Sequence, residues 1–295
     1  MFESFYPGMS WAEHRASWPH AAHSRFVQAG GIQWHVQLLG QGPCMLLLHG
    51  TGSGNFSWRG LLPTLAQHFT VVAPDLPGHA FTSRGPEGAL SLPGMSEGLR
   101  ALLLQLQLRP QAIVGHSAGA AIAAHMVLHI DSLARSTLIG LNPAWLPLPG
   151  VASWLFGPAA KLAALNPLSA WATAKMAAKP GAVAEWIART GSQLDAQGLA
   201  LYTRVLSDSG HVHGVLSMMA AWRLKPLSER LREIRQPVFM AIGSNDLTVP
   251  PALAEEASRC LPQAQTHIQT GLGHLAHEQD PDDTVQHILR WCSPA

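Results

Sequence analysis

The sequence predicts an α/β fold in which helices cover both faces of a mostly parallel, eight-stranded sheet. Short apolar runs of strand length alternate with segments of helical spacing, which is typical of parallel strands joined by helices. Several of these runs end in polar or glycine-rich turns, and ligand chemistry in such sheets gathers at the carboxyl ends of the strands. A long helical interruption before the seventh strand predicts an inserted segment.

The first two strands are predicted as a hairpin, because two short alternating runs flank Gly30 and Gly31. The third run, Cys44–Leu48, is apolar throughout, which indicates a strand covered on both faces. The predicted strands are Ser24–Gln28, Ile32–Leu38, Cys44–Leu48, Thr70–Ala73, Ala112–Gly115, Ser136–Leu141, Val238–Ile242 and Gln265–Gln269. The predicted helices outside the insertion are Trp58–His68, Gly94–Leu108, Ala118–His129, Pro251–Cys260 and Pro281–Trp291.

A chain of 295 residues can bury a large core, and we expect one core domain that carries an insertion. Residues 1–141 form the first part of the core and begin with an aromatic-rich N-terminal arm, residues 1–23. Between residues 142 and 225 the alternation of strands and helices stops. Short helices broken by prolines and glycine predict a helical lid there. Residues 226–295 complete the core.

The composition excludes some classes of function. Nineteen basic and eighteen acidic residues give a net charge of +1, so no strong positive field indicates a nucleic-acid-binding protein. Three distant cysteines match no metal-ligand spacing, and His125 and His129 share a helical face without the glutamate of a zinc-hydrolase helix. We therefore expect neither a metal site nor a cofactor. The N-terminus has no apolar run typical of a secretory signal, which predicts a cytoplasmic protein.

The segment that carries chemistry is Gly115-His116-Ser117-Ala118-Gly119, which follows an apolar strand and begins an alanine-rich helix. This Gly-X-Ser-X-Gly pattern between strand and helix predicts a nucleophile elbow with Ser117 at its tip. Gly115 and Gly119 leave room where side chains would clash in so tight a turn.

An elbow serine needs a base, an orienting acid and oxyanion donors, and in elbow folds the acid and then the histidine follow the serine along the chain. Asp246 comes just after the seventh strand and is the predicted orienting acid. His274 lies in a glycine-rich loop after the last strand and is the predicted general base. The backbone N–H groups of Thr51 and Ala118 are the predicted oxyanion donors.

Each of these assignments has an alternative. His277, His116 and His49 also lie near strand ends and could compete with His274. Asp246 could instead cap the helix that follows it. Asn142 ends the sixth strand, where some proteins of this kind place the acid, and its amide cannot fill that role, which favours Asp246.

With these residues placed, the chain from Arg25 to Trp291 resembles the α/β-hydrolase superfamily. The segments His49-Gly50 and Asp75-Leu76-Pro77-Gly78-His79 belong to the same resemblance, which implies the α/β-hydrolase fold. One departure is Ala80, where relatives usually carry a second glycine after the histidine; it affects a turn and not the proposed chemistry.

A closer resemblance is to the magnesium chelatase accessory proteins of bacteriochlorophyll biosynthesis in phototrophic bacteria. It implies a protein that supports magnesium insertion into protoporphyrin IX, with chelatase subunits as partners and contact with the inner or photosynthetic membrane as an open alternative. The segments that carry it are Trp34-His35-Val36-Gln37, His49-Gly50-Thr51-Gly52, Leu90-Ser91-Leu92-Pro93-Gly94-Met95, Gly115-His116-Ser117-Ala118-Gly119-Ala120-Ala121 and Leu162-Ala163-Ala164-Leu165-Asn166-Pro167-Leu168.

The predicted lid leaves three interpretations open. It carries seven basic and three acidic residues between 142 and 225, a net charge of +4, and it is rich in tryptophan. An apolar, mildly basic lid would suit a tetrapyrrole with its carboxylate arms, an ordinary packing role, or contact with a membrane surface. The tryptophans that would bind a substrate are Trp145, Trp154, Trp171, Trp186 and Trp222.

The residues therefore predict a serine hydrolase of the carboxylic-ester type that acts on a small apolar substrate. The alternative is a non-hydrolytic porphyrin-binding or chelatase-assisting protein that uses the fold as a ligand cradle. An intact set of Ser117, Asp246 and His274 favours the hydrolase, because a binding protein gains nothing evident from keeping all three.

Overall fold

The computed structural model of the chain describes residues 8–147 and 166–292. Its eight strands form one sheet in the order β1-β2-β4-β3-β5-β6-β7-β8. The first two strands pair antiparallel with each other, β2 pairs antiparallel with β4, and all the remaining pairs are parallel. The strands are β1 Ser24–Ala29, β2 Ile32–Leu39, β3 Cys44–Leu48, β4 Thr70–Pro74, β5 Pro110–His116, β6 Thr137–Leu141, β7 Val238–Gly243 and β8 Ala264–Gln269. The predicted sheet is confirmed, with strand ends that differ by at most two residues.

The helices follow the predicted alternation. Those of the described residues are α1 Trp11–His14, α2 Leu62–Leu65, α3 Leu92–Gln105, α4 Ala118–His129, α5 Pro167–Ala177, α6 Ala182–Ala188, α7 Ala196–Leu206, α8 Ser209–Ala221, α9 Lys225–Ser228, α10 Pro251–Cys260, α11 Ala276–Gln279 and α12 Pro281–Cys292. The prediction of one helix over Trp58–His68 was wrong, because a 3-10 turn ends at Trp58 and α2 spans only four residues. Pro63 lies in the first turn of α2, where its missing N–H is tolerated, and would interrupt a helix that ran through it.

The helix predicted to begin at Gly94 begins at Leu92, two residues earlier. Ser91 caps it, because its side chain accepts a hydrogen bond from the N–H of Gly94 at 3.1 Å. Pro93 fits the first turn of this helix, where no donor is needed.

Strand β3 shows why the sheet needs helices on both faces. Its side chains alternate: Leu46 and Leu48 join the core under α3 and α4, whereas Met45 and Leu47 join the core under α2 and α12. All five residues of β3 are buried. Because side chains of a strand point alternately to opposite faces, a continuous apolar run matches a sheet that is covered on both sides.

Helices α5 to α9 lie between β6 and β7, where the sequence predicts the lid. Asp195 and Asp208 cap α7 and α8, accepting hydrogen bonds from Gly198 N and His211 N at 2.7 Å each. The treatment of 142–225 as a separate domain stays a prediction, and residues 148–165 of it lie outside the described residues. None of the described helices has the length and apolar character that crossing a bilayer requires.

Candidate active site

Ser117 lies between the last residue of β5 and the first residue of α4. Its backbone has φ of +52° and ψ of −116°, a conformation that costs a non-glycine residue about 1–3 kcal/mol. Three backbone hydrogen bonds hold it there: Ser117 N donates to Leu141 O at 3.0 Å, and Ser117 O accepts from Ala120 N at 3.1 Å and Ala144 N at 3.2 Å. The surrounding loops therefore fix Ser117 in a strained turn at the carboxyl edge of the sheet.

The two glycines that flank Ser117 have no room for a side chain. A Cβ on Gly119 would lie 2.0 Å from the carbonyl oxygen of Leu48, and one on Gly115 would lie 2.4 Å from the amide of Ala120. Both neighbours are backbone atoms, so they cannot move aside cheaply. This close packing of α4 against β3 and β5 explains the Gly-X-Ser-X-Gly pattern physically.

Asp246 and His274 lie in contact, although 28 positions separate them in the chain. His274 Nδ1 donates to Asp246 Oδ2 at 2.8 Å. The other carboxylate oxygen accepts from the backbone N–H groups of Thr248 at 2.7 Å and Val249 at 2.8 Å. Because Nδ1 donates to the carboxylate, the unprotonated Nε2 of a neutral His274 is free to accept a proton.

Asn142 has a part in this arrangement that no sequence pattern reveals. Its Nδ2 donates to Asp246 Oδ2 at 2.8 Å, while its backbone adopts φ of +45° directly after β6. The sequence indicates only that Asn142 cannot itself be the acid. The amide is a hydrogen-bond donor to the predicted orienting carboxylate, and it helps to hold Asp246 in place.

The alternative histidines are buried, although one of them, His116, also lines the cavity described below. His277 is fully buried, and burial lowers its pKa to about 3. Burial also keeps the pKa of His116 well below its usual range, and His116 Nε2 donates to the carbonyl of His274 at 2.8 Å. His49 Nε2 accepts from Leu76 N at 2.9 Å, which joins the loops after β3 and β4. Of these histidines, His274 is the one that a carboxylate orients toward a cavity.

A cavity of about 900 Å³ lies over the carboxyl edge of the sheet. Ser117 and His274 both line it, together with Thr51 and Ala118, whose N–H groups are the predicted oxyanion donors. Ala118 is the first residue of α4, so its N–H has no acceptor within the helix. The predicted serine, base and oxyanion residues thus share one opening.

The five predicted tryptophans separate into different places. Trp186 and Trp222 line the cavity. Trp145 is fully buried and donates from Nε1 to the carbonyl of Ala120 at 2.8 Å, so it packs against α4. Trp171 is 55% exposed on α5 and does not line the cavity. Trp154 lies outside the described residues.

A buried polar network lies beside the cavity, and no sequence pattern predicts it. Tyr202 OH donates to Glu278 Oε1 at 2.7 Å and lies 3.0 Å from Ser53 Oγ, which lines the cavity. Arg59 pairs with the other oxygen of Glu278 and, at 2.9 Å, with Asp195 at the start of α7. Burial raises the pKa of Glu278 to about 7 despite Arg59. The network joins helix α7 to the core, and residues so far apart in sequence give no signal that would reveal it.

A second histidine–aspartate pair lies at the other side of the site. His35 on β2 and Asp75 after β4 are 2.7 Å apart, and both side chains are fully buried. Asp75 also accepts from Asn55 N at 2.6 Å and Phe81 N at 3.3 Å. This pair connects β2 to the loops that follow β3 and β4.

Comparison with known proteins agrees with this architecture. A family model for the alpha/beta hydrolase fold matches residues 43–281. The magnesium-chelatase 30 kDa subunit of Rhodobacter capsulatus is 36% identical over 278 residues, which cover 94% of this chain and 96% of that protein.

Solved structures show the same fold. The protein lip1 of Acinetobacter baumannii AYE matches with a TM-score of 0.77 and 19% identity over 97% of this chain and 96% of its own. The carboxylesterase CesB of Bacillus subtilis matches with a TM-score of 0.70 and 19% identity over the same shares of the two chains. At these identities the likeness concerns the fold alone.

Proposed function

The chain belongs to the α/β-hydrolase family and is a relative of the magnesium-chelatase 30 kDa subunit. We propose that it is a serine hydrolase with Ser117 as nucleophile. The observation that carries the proposal is the His274–Asp246 pair, which opens on the same cavity as Ser117. The strained backbone of Ser117 adds support, because such strain is common at active sites.

The proposed reaction gives each of these groups a defined role. His274 Nε2 takes the proton from Ser117 Oγ as the oxygen attacks an ester carbon, and Asp246 stabilises the imidazolium that forms. The N–H groups of Thr51 and Ala118 hold the developing oxyanion. His274 then gives its proton to the leaving alcohol, and water releases the acyl group from Ser117 by the reverse proton path.

The proposed substrate is apolar. Apolar side chains such as Ile187, Leu206 and Leu247 line much of the cavity. A cavity of about 900 Å³ is at the upper end of the range of about 300–1,000 Å³ that is usual for small-molecule sites. An ester with a bulky hydrophobic acyl or alcohol part fits these properties.

Labelling with a fluorophosphonate probe tests the hydrolase. We expect wild-type protein to be labelled on Ser117 and Ser117→Ala to remain unlabelled. Ser53→Ala is the matched control, because Ser53 lines the same cavity but is not at an elbow, and it should keep the label. A folded wild-type protein that stays unlabelled would contradict the proposed hydrolysis.

A second candidate function is the binding of a flat aromatic acid such as a porphyrin. The cavity brings Trp186 and Trp222 together with the cationic Arg223 and Lys225. Indole rings can stack on an aromatic macrocycle, and the two cations can pair with carboxylate groups. This use of the cavity would suit a protein that assists magnesium chelation and associates with other chelatase components.

Titration with protoporphyrin IX, followed by tryptophan fluorescence, tests this candidate. Arg223→Gln should weaken binding about tenfold, because a hydrogen bond to a charged group contributes about 1.5 kcal/mol. Trp171→Phe is the control, since Trp171 lies outside the cavity, and it should leave the dissociation constant unchanged. Quenching that equals the inner-filter effect at micromolar ligand would contradict porphyrin binding.

Complementation separates the two candidates in the cell. A strain that lacks this protein and accumulates the unmetallated porphyrin is supplied with wild-type or Ser117→Ala protein. Failure of a stably folded Ser117→Ala protein would indicate that the pathway needs the nucleophile. Full rescue would favour the ligand cradle.

Contact with a membrane surface is also part of the proposal. Helix α5 exposes three large apolar side chains, Leu168, Trp171 and Met176, to between 49% and 68%. Exposed apolar side chains grouped on one helix are typical of interfacial contact. We expect wild-type protein to sediment with vesicles of anionic phospholipid and Trp171→Ser to sediment less; equal recovery of the two would contradict a contact through α5.

A further inference from the structure

Two histidines and an aspartate meet where the last helix crosses the edge of the sheet, far along the chain from the candidate nucleophile. His267 lies on β8, while Asp283 and His287 lie about one turn apart on α12. The imidazole centroids of His267 and His287 are 3.5 Å apart, with ring planes inclined at 27°. We call these three residues the β8–α12 cluster.

The distances within the cluster suit a shared ion better than direct hydrogen bonds. Asp283 Oδ2 lies 3.4 Å from His267 Nε2, and Asp283 Oδ1 lies 3.4 Å from His287 Nε2. Ordinary N–H···O bonds measure about 2.7–3.2 Å. A tetrahedral ion with ligands at about 2.0–2.1 Å holds its donor atoms about 3.3 Å apart. One potential ligand atom from each residue lies within 4.8 Å of the others, so a small adjustment of the side chains would close the site.

The carboxylate is already held in position by a neighbour. Gln269, which is 3% exposed, donates from Nε2 to Asp283 Oδ2 at 2.9 Å and to Thr284 Oγ1 at 3.0 Å. The backbone N–H of Asp283 donates to Asp280 Oδ1 at 3.0 Å. Metal-binding carboxylates are typically oriented by such outer hydrogen bonds.

We propose that the β8–α12 cluster binds Zn²⁺ or a similar divalent transition-metal ion, with water completing the coordination. Two imidazoles and one carboxylate are ligands that Zn²⁺, Co²⁺ and Ni²⁺ accept, whereas Mg²⁺ and Ca²⁺ prefer sites made of oxygen alone. The three side chains are 14–35% exposed, so an ion can reach them from solvent. The bound ion fastens α12 to the edge strand.

The proposed site departs from the expectation that the protein has no metal site. That expectation came from cysteine spacing and from the His125/His129 pair, and neither is involved. His267 lies 16 positions before Asp283, so the pair becomes visible only when α12 packs against β8.

Calorimetric titration of metal-free protein with ZnCl₂ tests the proposal. We expect one ion per chain and a rise in melting temperature with Zn²⁺ concentration. Gln269→Ala should weaken binding by about 10- to 100-fold, as the loss of an outer hydrogen bond does. His267→Ala and His287→Ala should weaken it further, and Asp283→Asn serves as the variant that is closest in shape to the wild type.

The matched control is His129→Ala. His125 and His129 also stack, with ring centroids 4.0 Å apart, but His129 Nε2 faces the guanidinium of Arg230 at 2.6 Å, a cation that disfavours a bound metal ion. This variant should bind Zn²⁺ as the wild type does. His274→Ala tests the candidate active site as a competing location and should also leave the titration unchanged.

Three results would overturn the proposal. They are a wild type that binds no Zn²⁺ at 100-fold molar excess, binding that survives both His267→Ala and His287→Ala, and binding that is lost only in His129→Ala or His274→Ala. Melting curves in EDTA show whether each variant is folded, and Co²⁺ absorption gives an independent readout, because imidazole and carboxylate ligands alter its visible spectrum when Co²⁺ replaces Zn²⁺.

Discussion

Two histidine–aspartate pairs of nearly equal geometry lie in this molecule, and they occupy opposite surroundings. The nitrogen–oxygen distance is 2.7 Å in the His35–Asp75 pair and 2.8 Å in the His274–Asp246 pair, and both carboxylates are fully buried. The rings of Trp11 and Phe81 pack against His35, with centroids 4.7 and 5.1 Å away. His274 instead borders the cavity that contains Ser117.

A histidine–aspartate pair alone therefore does not define a catalytic site. Asp75 and Asp246 each accept two backbone N–H groups besides the histidine, and Asp246 also accepts from Asn142, so both carboxylates are firmly held. The difference lies at the second ring nitrogen. His35 Nε2 is buried and finds no hydrogen-bond partner among the described residues, whereas His274 has access to a substrate-sized space. Access and a nearby nucleophile distinguish the proposed base from a structural histidine.

The largest effect is expected from Asp246→Asn, which breaks the pair at the cavity. The introduced amide can no longer stabilise an imidazolium and can favour the wrong tautomer of His274. We expect the hydrolysis rate constant for an activated ester to fall about 10⁴-fold per folded molecule. Stopped-flow or steady-state assays with a p-nitrophenyl ester measure it, and circular dichroism gives the folded fraction.

Asp75→Asn is the matched control, because it makes the same chemical change in the fully buried His35–Asp75 pair. Its rate constant per folded molecule should stay within about twofold of wild type, since uncoupled sites contribute independently. If Asp75→Asn lowered the rate as much as Asp246→Asn, the division into a structural and a catalytic pair would be wrong.

Asp75→Asn should instead reduce stability, which is the second largest effect. The introduced amide would offer one carbonyl oxygen where Asp75 offers two carboxylate oxygens to its three donors, so one donor would face an NH₂ group. Those donors are His35 Nδ1, Asn55 N and Phe81 N. Leaving a buried hydrogen-bond donor without an acceptor costs about 1–3 kcal/mol in the free energy of unfolding. Urea denaturation measures the loss, and a variant as stable as the wild type would show that Asp75 does not hold these loops.

Glu278→Gln tests a third buried carboxylate, one that gains or loses a proton within an accessible pH range. Burial raises the pKa of Glu278 from 4.5 to about 7, so the folded protein binds a proton there that the unfolded chain has lost. Glu278 therefore contributes stability that is fully present below pH 4.5 and is lost as the pH rises to about 7. Between pH 5 and pH 8 the wild type should lose about 2 kcal/mol relative to Glu278→Gln.

The test is urea denaturation of both proteins at pH 5, 6, 7 and 8. Only the difference between the two curves is used, because the buried histidines contribute equally to both. Parallel stability curves would mean that Arg59 keeps Glu278 ionised throughout this range, and that the network is a permanent ion pair.

The sheet and the elbow could be predicted well from the sequence because both have local causes. Apolar runs such as Cys44–Leu48 are bounded by turns and so mark the strands. The backbone of Gly119 lies so close to Leu48 that only glycine fits there, and this requirement is visible in the Gly-X-Ser-X-Gly pattern. The order of Ser117, Asp246 and His274 along the chain was enough to select residues that the fold brings together at one edge of the sheet.

Long-range contacts between single polar residues could not be predicted in this way. Asn142 donates to a carboxylate 104 positions away, and Tyr202 meets Glu278 across 76 positions. No period or spacing marks such pairs, because they depend on how segments that are distant in sequence pack together. The sequence likewise does not distinguish Trp145 from Trp186. Packing places Trp145 in the core and Trp186 in the wall of the cavity.

The smallest effect is expected at Ala80, beside the buried pair. Ala80 adopts φ of +43°, a left-handed conformation that costs alanine about 1–2 kcal/mol. Glycine would remove this strain but would add about 0.5–1 kcal/mol of backbone entropy to the unfolded chain. Ala80→Gly should therefore stabilise the protein by about 0.5 kcal/mol, the difference between these two costs.

The ester hydrolysis rate should not change, because the neighbouring Phe81 N donates to Asp75 and not to Asp246. A chemical denaturation midpoint that falls would mean that the left-handed backbone costs alanine less than glycine costs in entropy, and that this turn is not strained.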